Sequence, residues 1–286
     1  AGFSNETYIC DLTYRQGAEE RREQIVVRME PKYRVVPEYD LERQYLIMDR
    51  LAGSNVPVPH VRWYEADRSV LGCSFYVMDK IEGEIPPEVP PYHAFGMLFD
   101  AAPERREKIW WNGLDVLARV HALDWRKLGL DFLGAPGGGT DPIDRQLDYY
   151  GRYLEWVKEK EPQPTLDASF KWLRENRYAP KRVALCWGDS RLPNQMFRDD
   201  EVVAVLDWEM AWLGDPEADL GWWIFLDWQG CDGYGIPRLE GFPSREETVR
   251  RYEELSGCKV ENIFYNEVYA AFRFGVVLAR VAHLME

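Results

Sequence analysis

A chain of 286 residues with 46% hydrophobic side chains can fill the core of one large domain or a two-lobed unit, and its formal charge of −14 repels phosphate backbones and anionic membrane surfaces. Nucleic acid and membrane are therefore not expected as partners, and no unbroken apolar run reaches the 18 or more residues of a spanning helix. Five scattered cysteines, Cys10, Cys73, Cys186, Cys231 and Cys258, suit neither a disulfide framework nor a zinc site, and no basic-then-apolar leader opens the chain, so a reducing cytoplasm is the expected location.

In chain order, Thr7 to Tyr14 and Gln24 to Met29 are β-prone runs joined by a charged turn, the pattern of a hairpin. Leu41, Tyr45, Met48 and Leu51 then fall near helical spacing, and the pattern stops at Gly53. The segments "NVPVPHVRWYE" and "CSFYVMDKIEG" read as two more strands around a charged turn at Asp67 to Ser69. The proline-rich "GEIPPEVPPY" can continue neither strand nor helix and reads as a connector.

Beyond it the spacing turns helical. Glu104 to Leu123 places Trp110, Leu114, Leu117 and His121 on one face, and Asp144 to Lys160 and Leu166 to Asn176 read as further helices around a loop at Gly137, Gly138 and Gly139. Short strands are predicted at Val183 to Cys186, Gln195 to Arg198 and Val202 to Leu206. Helices follow at Glu217 to Trp228, Arg245 to Ser256 and Phe264 to Leu284. The expected class is α+β and bilobal, with a small β-rich lobe over residues 1–82 and a larger, mainly helical lobe over 83–286.

Chemistry concentrates in "CWGDSRLPNQMF" and "VAVLDW". Asp189 and Asn194 share a loop between two apolar segments, and Asp207 ends the next apolar run. Carboxylate and carboxamide oxygens are the donors Mg2+ takes, usually one or two from protein and the rest from phosphate and water. Asn194 and Asp207 fit that role, which leaves Asp189 to accept a proton from a hydroxyl. Any one of the three is also an ordinary turn residue; their order and spacing carry the argument.

Those residues make "WGDSRLPNQMF" with "VVAVLDWEMAWLGDPEADLGW" resemble the signature of the aminoglycoside phosphotransferase and choline kinase-like superfamily. The resemblance covers essentially the whole chain and extends to the branch found with acyl-CoA dehydrogenases and their mycobacterial relatives. It implies a protein-kinase-like fold and transfer of the γ-phosphoryl group of ATP, with Mg2+, to a small-molecule hydroxyl. Asp189 would be the base and Asn194 and Asp207 the metal ligands. The stretch "GFSNETY", with Ser4, Asn5 and Thr7, would cover the phosphates, Arg28 would pair with them, and the backbone near Met78 to Lys80 would meet the adenine. The family's first strand would lie before residue 1.

The chain departs from that pattern in three places. Arg28 replaces the kinase lysine and Trp187 the loop histidine, while the helix glutamate aligns with Gln44, Glu42 lying on a nearly opposite face. These changes also admit a catalytically silent nucleotide-binding or regulatory module. His121 reads as a packing residue, Asp215 and Asp219 as a helix cap and a brace for the loop, and no GxSxG elbow supports hydrolase chemistry. The pieces "DYYGRYLEW" and "GWWIFLDW" read at helical spacing as core, with a box for a cation or a flat ligand as the alternative. Glu209, Asp227 and Asp232 could face an acceptor, but the aromatic density beside them favours a partly apolar hydroxyl compound, such as a hydroxyacyl thioester, over an aminoglycoside. The sequence does not indicate the oligomeric state.

Overall fold

The computed structural model describes residues 6–134 and 141–285, so Gly137 to Gly139 lie outside the described residues. Its first part, residues 6–79, carries a four-stranded antiparallel sheet in the order β1-β2-β4-β3. Strands β1 (Glu6–Gln16) and β2 (Glu19–Met29) form the expected hairpin, with Thr7 opposite Arg28. The ladder runs further than predicted, through exposed charged residues on both faces, because backbone pairing persists where side chains carry no apolar signal.

Helix α1 (Leu41–Leu51) has the predicted ends. The Asp40 side chain accepts from the Arg43 N–H at 2.9 Å, and the helix buries Leu41, Gln44, Ile47, Met48 and Leu51 against the sheet side. Strands β3 (Val61–Glu65) and β4 (Phe75–Asp79) follow. The charged turn between them contains one helical turn, α2 (Arg68–Leu71), capped by Asp67 and ended by Gly72 at φ 86°.

The second half is helical with short strands. Helices α3 (Pro103–Ala122), α4 (Pro142–Lys158) and α5 (Pro164–Glu175) each begin at proline, whose fixed φ and missing N–H suit a first helical turn. After β5 (Ala184–Cys186), strands β6 (Gln195–Arg198) and β7 (Glu201–Val205) make a tight hairpin. Its turn residues Asp199 and Asp200 have φ 53° and 67°, the primed geometry that matches strand twist. Strand β8 (Trp212–Gly214) pairs with β5 and was not predicted, since three residues held by a distant partner show no period of their own. Helices α6 (Glu217–Gly230), α7 (Arg245–Ser256) and α8 (Ile263–Met285) close the chain, α7 with a Ser244–Glu247 capping box.

The principal core joins the two halves: Val26, Met48 and Tyr76 pack in one cluster with Leu117, Leu185, Trp187 and Val205. A second cluster, around Tyr150, Tyr153, Tyr269 and Phe272, ties α4 to α8. One sequence expectation needs correction, because α8 is long and apolar enough, by length and composition alone, to cross a membrane. Counting unbroken apolar runs overlooked it, since Asn266, Glu267 and Arg273 interrupt the run. Two of those polar residues, Asn266 and Arg273, are buried where α8 packs on α6, beside Tyr269, Phe272 and Val276.

Candidate active site

Strand β5 delivers the chain into Trp187-Gly188-Asp189. Gly188 sits at φ +90°, and a Cβ there would lie 2.1 Å from the Met210 carbonyl oxygen, so no other residue fits this turn. The loop is braced from below by Asp219 on α6, whose carboxylate accepts from the N–H groups of Trp187 at 2.6 Å and Gly188 at 2.9 Å. His121 on α3 contacts the same carboxylate at 3.1 Å and the Tyr252 hydroxyl at 2.6 Å, so this buried histidine links three helices. Asp215 caps α6 through the Glu217 N–H at 3.0 Å.

Asp189 is 7% exposed, and three side chains hold its carboxylate. Oδ1 accepts from the Trp222 indole N–H at 2.8 Å; Oδ2 accepts from Asn194 Nδ2 at 2.6 Å and Arg191 Nε at 3.1 Å. Asn194 Nδ2 also donates to the Asp189 backbone oxygen at 3.0 Å. The amide nitrogen is thus spent on Asp189, and the amide oxygen is left for another partner.

Asp207 follows β7 with φ 59°, a left-handed conformation uncommon outside glycine. Trp187, which stands where the family's histidine was expected, donates its indole N–H to the backbone oxygens of Leu206 at 2.9 Å and Asp207 at 3.1 Å. One ring therefore fixes the Asp189 loop to the Asp207 turn. Burial raises the proton affinity of Asp207; Arg28 and Arg191 oppose the shift, and the Asp189 charge reinforces it. Its Oδ1 is buried and accepts no hydrogen bond, and Arg28 Nη2 lies 3.8 Å away.

Arg28 reaches this point from β2 and donates through Nη1 to Thr7 Oγ1 at 3.2 Å. Burial works against its charge, but the hydroxyls of Tyr76 and Tyr39 and the carboxylates of Asp207 and Glu209 keep it protonated; burial in turn pushes the Tyr76 phenol up to about 12. Gln44 is 1% exposed beside Tyr39, while Glu42 points to solvent, so α1 offers Arg28 no carboxylate from either position. Met78 is buried in β4 opposite Val26 and Val61, and Lys80 donates to Gln24 Oε1 at 2.8 Å and to Glu82. Ser4 and Asn5 lie outside the described residues.

The structure thus brings Asp189, Asn194, Asp207, Arg28 and Thr7 close together. It adds Arg191, which the sequence reading passed over although it lies inside the loop motif. Burial disfavours the Arg191 cation, but Asp189 and Glu88 of the connector outweigh that cost and hold it charged; its Nη1 donates to Glu88.

The aromatic pieces around Tyr150 and Trp222 pack as core, and the cation they enclose is the chain's own Arg273. Asp227 is not free for a cationic acceptor, because its carboxylate is already bonded to Tyr92 at 2.6 Å, His93 at 3.0 Å and Arg238 at 2.8 Å. The nearby Cys231 thiol donates to the Asp227 backbone oxygen, so this buried trio is engaged in packing the helices. Asp227 and Asp232 line a cavity of about 430 Å3 together with Trp110, Phe225 and Trp228. Asp227 lies five positions after Trp222 on α6, whereas Phe225, three positions after Trp222, packs with it against Phe274.

Comparison with known proteins points in the same direction as this geometry. A family model described as a phosphotransferase enzyme family matches residues 1–255. The mouse protein acyl-CoA dehydrogenase family member 10 is 31% identical over 98% of this chain and 25% of its own length. A crystal structure of an aminoglycoside phosphotransferase candidate from Ralstonia eutropha superposes with TM-score 0.73 at 25% identity, covering 96% of this chain and 83% of that one. A Plasmodium vivax ethanolamine kinase shares the fold at TM-score 0.57 and 12% identity, over 97% of this chain and 74% of that one. The chain spans about a quarter to a third of the length of the curated relatives it matches.

Proposed function

The chain belongs to the phosphotransferase enzyme family, and from that premise we propose that it is a small-molecule kinase that moves the γ-phosphoryl group of ATP, with Mg2+, to an acceptor hydroxyl. The observation that carries the reading is the pair of unlike aspartates. Asp189 is clamped by three donors in one orientation, whereas the buried Oδ1 of Asp207 accepts no hydrogen bond and has Arg28 at 3.8 Å, a setting that a directly bound cation could complete. The donor set fits Mg2+: Asp207 and the amide oxygen of Asn194 would hold it, and the bound ion would offset the negative charge of the phosphates.

In this reading Asp189 accepts the proton of the acceptor hydroxyl as its oxygen attacks phosphorus. Arg191, beside that carboxylate, faces the charge that builds on the transferred group, and Arg28 with Thr7 pairs with the nucleotide phosphates, helped by Ser4 and Asn5. Met78 to Lys80 border the adenine, and the chain divides at 82/83 into a nucleotide lobe and an acceptor lobe. The protein acts in the cytoplasm.

The acceptor is a partly apolar hydroxyl compound, with a hydroxyacyl thioester first in line and aminoglycosides poor. Two facts support this: Asp227 is already consumed by Arg238 and His93, and relatives matched over nearly the whole chain carry acyl-CoA dehydrogenase in their names. The second reading is a silent nucleotide-binding module, favoured by the uncharged Gln44 where a carboxylate would pair with Arg28. ATP consumption by the full chain with Mg2+ across a hydroxyl-compound library separates the two. Turnover abolished by Asp189→Asn supports the kinase; metal-dependent nucleotide binding with no turnover on any compound supports the silent module.

A further inference from the structure

Arg273 is 1% exposed, and burying a guanidinium requires a reason. Its guanidinium carbon lies 4.4 Å from the ring centroid of Trp222 and 5.2 Å from those of Tyr150 and Tyr269, so three aromatic faces enclose it. Nη2 donates to the Gly188 backbone oxygen at 2.8 Å, immediately before Asp189. Burial opposes its charge, while a hydrogen bond with Tyr150 and the Asp219 carboxylate favour it. The indole that Arg273 covers sends its N–H to Asp189 Oδ1 at 2.8 Å.

We propose that Trp222 and Arg273 are positioning residues for the base: Arg273 stacks on the indole and pins Gly188, and the indole N–H holds Asp189 Oδ1 so that the carboxylate presents one fixed edge to the acceptor. A cation over the face of an indole withdraws electron density from the ring and makes its N–H a stronger donor. The buried charge therefore acts on Asp189 through the ring. The bond is also geometric, because Asn194 and Arg191 both approach Oδ2, and without a donor on Oδ1 the carboxylate could rotate about its Cβ–Cγ bond. Arg273 stops at the Gly188 backbone oxygen and Trp222 at the carboxylate of the base, so both act through Asp189.

The inference rests on Asp189 serving as the base, and its test has one arm that does not need turnover. In the full chain with 15N-labelled indoles, Trp222→Phe removes one of 12 resonances and so identifies it. Asp189→Asn and Arg273→Lys should each move that resonance upfield, because the first weakens the acceptor and the second the stacked cation. If Asp189→Asn leaves it in place, there is no such bond and the proposal fails. Should Trp222→Phe prove unfolded, Asp189→Asn carries this arm alone, by displacing a single indole resonance.

The second arm follows turnover with MgATP, using water as acceptor where no better one is found. Trp222→Phe should lower kcat about 10-fold or more with KM for ATP within about twofold, a fraction of what a general base contributes. In the Asp189→Asn background the same change should have no further effect, because Trp222 then has no base to position. A loss of equal size in both backgrounds means a merely structural role and overturns the proposal. An inert wild type whose indole resonance still responds to Asp189→Asn tells against phosphoryl transfer while upholding the relay.

Discussion

On the floor of the site, Asp189 accepts from Trp222, Asn194 and Arg191, and the loop that carries it hangs on Asp219 through two backbone N–H groups. On the roof, the partly buried Arg28 donates to the Thr7 hydroxyl at 3.2 Å and lies 3.8 Å from the Asp207 carboxylate, with Tyr76, Tyr39 and Glu209 also around its charge. The floor fixes one carboxylate through three donors, whereas the roof gathers hydroxyls and carboxylates around one cation. Fixed donors suit a residue whose geometry must be right in the transition state, and a cation suits pairing with the phosphates of a nucleotide.

The largest expected effect comes from breaking the floor at its chemistry. Asp189→Asn keeps the shape but cannot take a proton, and turnover with MgATP should fall about 1000-fold or more. Nucleotide affinity by calorimetry should change less than about threefold, since nothing on the roof is altered. A variant with normal turnover on its acceptor would remove Asp189 from the mechanism.

Next in size is the brace. Asp219→Ala leaves the N–H groups of Trp187 and Gly188 and the His121 ring without their buried acceptor, and unfolding in urea should show a loss of about 3 kcal/mol. Here the two regions should diverge in binding: Arg28→Ala should weaken ATP binding about tenfold, about 1.4 kcal/mol, whereas Asp219→Ala, which leaves Arg28 in place, should change it by less than about threefold. Equal losses of affinity from the two substitutions would mean that Arg28 does not pair with the nucleotide.

The same contrast governs what could be read from the sequence. Helix α1 was found to the residue because its cap, its apolar spacing and its end are all local, and so was α7. Strand β8 was missed because β5, its partner, lies more than twenty residues earlier. At the site, Asp189, Asn194 and Asp207 stood out through short-range spacing, and Arg191 could have been read from the same loop. Trp222 and Arg273 reach that loop from 33 and 85 residues away, and their sequence signal, aromatic density with one cation on an apolar helix, is also the ordinary signature of a core. The reading of these aromatics as core holds, and the cation they enclose is the chain's own Arg273.

The joint between the regions should give the smallest effect. Glu84 of the connector forms a backbone bridge to Phe197 in β6, and Arg105 ties Glu84 to Asp200 in the β6–β7 turn, the Asp200 contact being 2.7 Å and Lys108 adding a longer one at 3.4 Å. Asp200 sits at φ 67°, so Asp200→Asn tests the charge while keeping a residue that tolerates this conformation. The hydrogen bond from Arg105, with the Arg105 and Lys108 charges, lowers the Asp200 pKa in the folded protein despite some burial. The folded state thus binds this proton less tightly than the unfolded chain does. The stabilisation is present above the ordinary aspartate pKa and is lost as pH falls through the lowered folded value. Because Arg105 is substantially exposed, the wild type should exceed Asp200→Asn by only about 0.5 kcal/mol at pH 7, and raised salt should shrink the gap. Urea unfolding of both proteins at pH 7 and near pH 3 checks the sign: a difference that grows on acidification would show that the charge at this joint opposes the folded state.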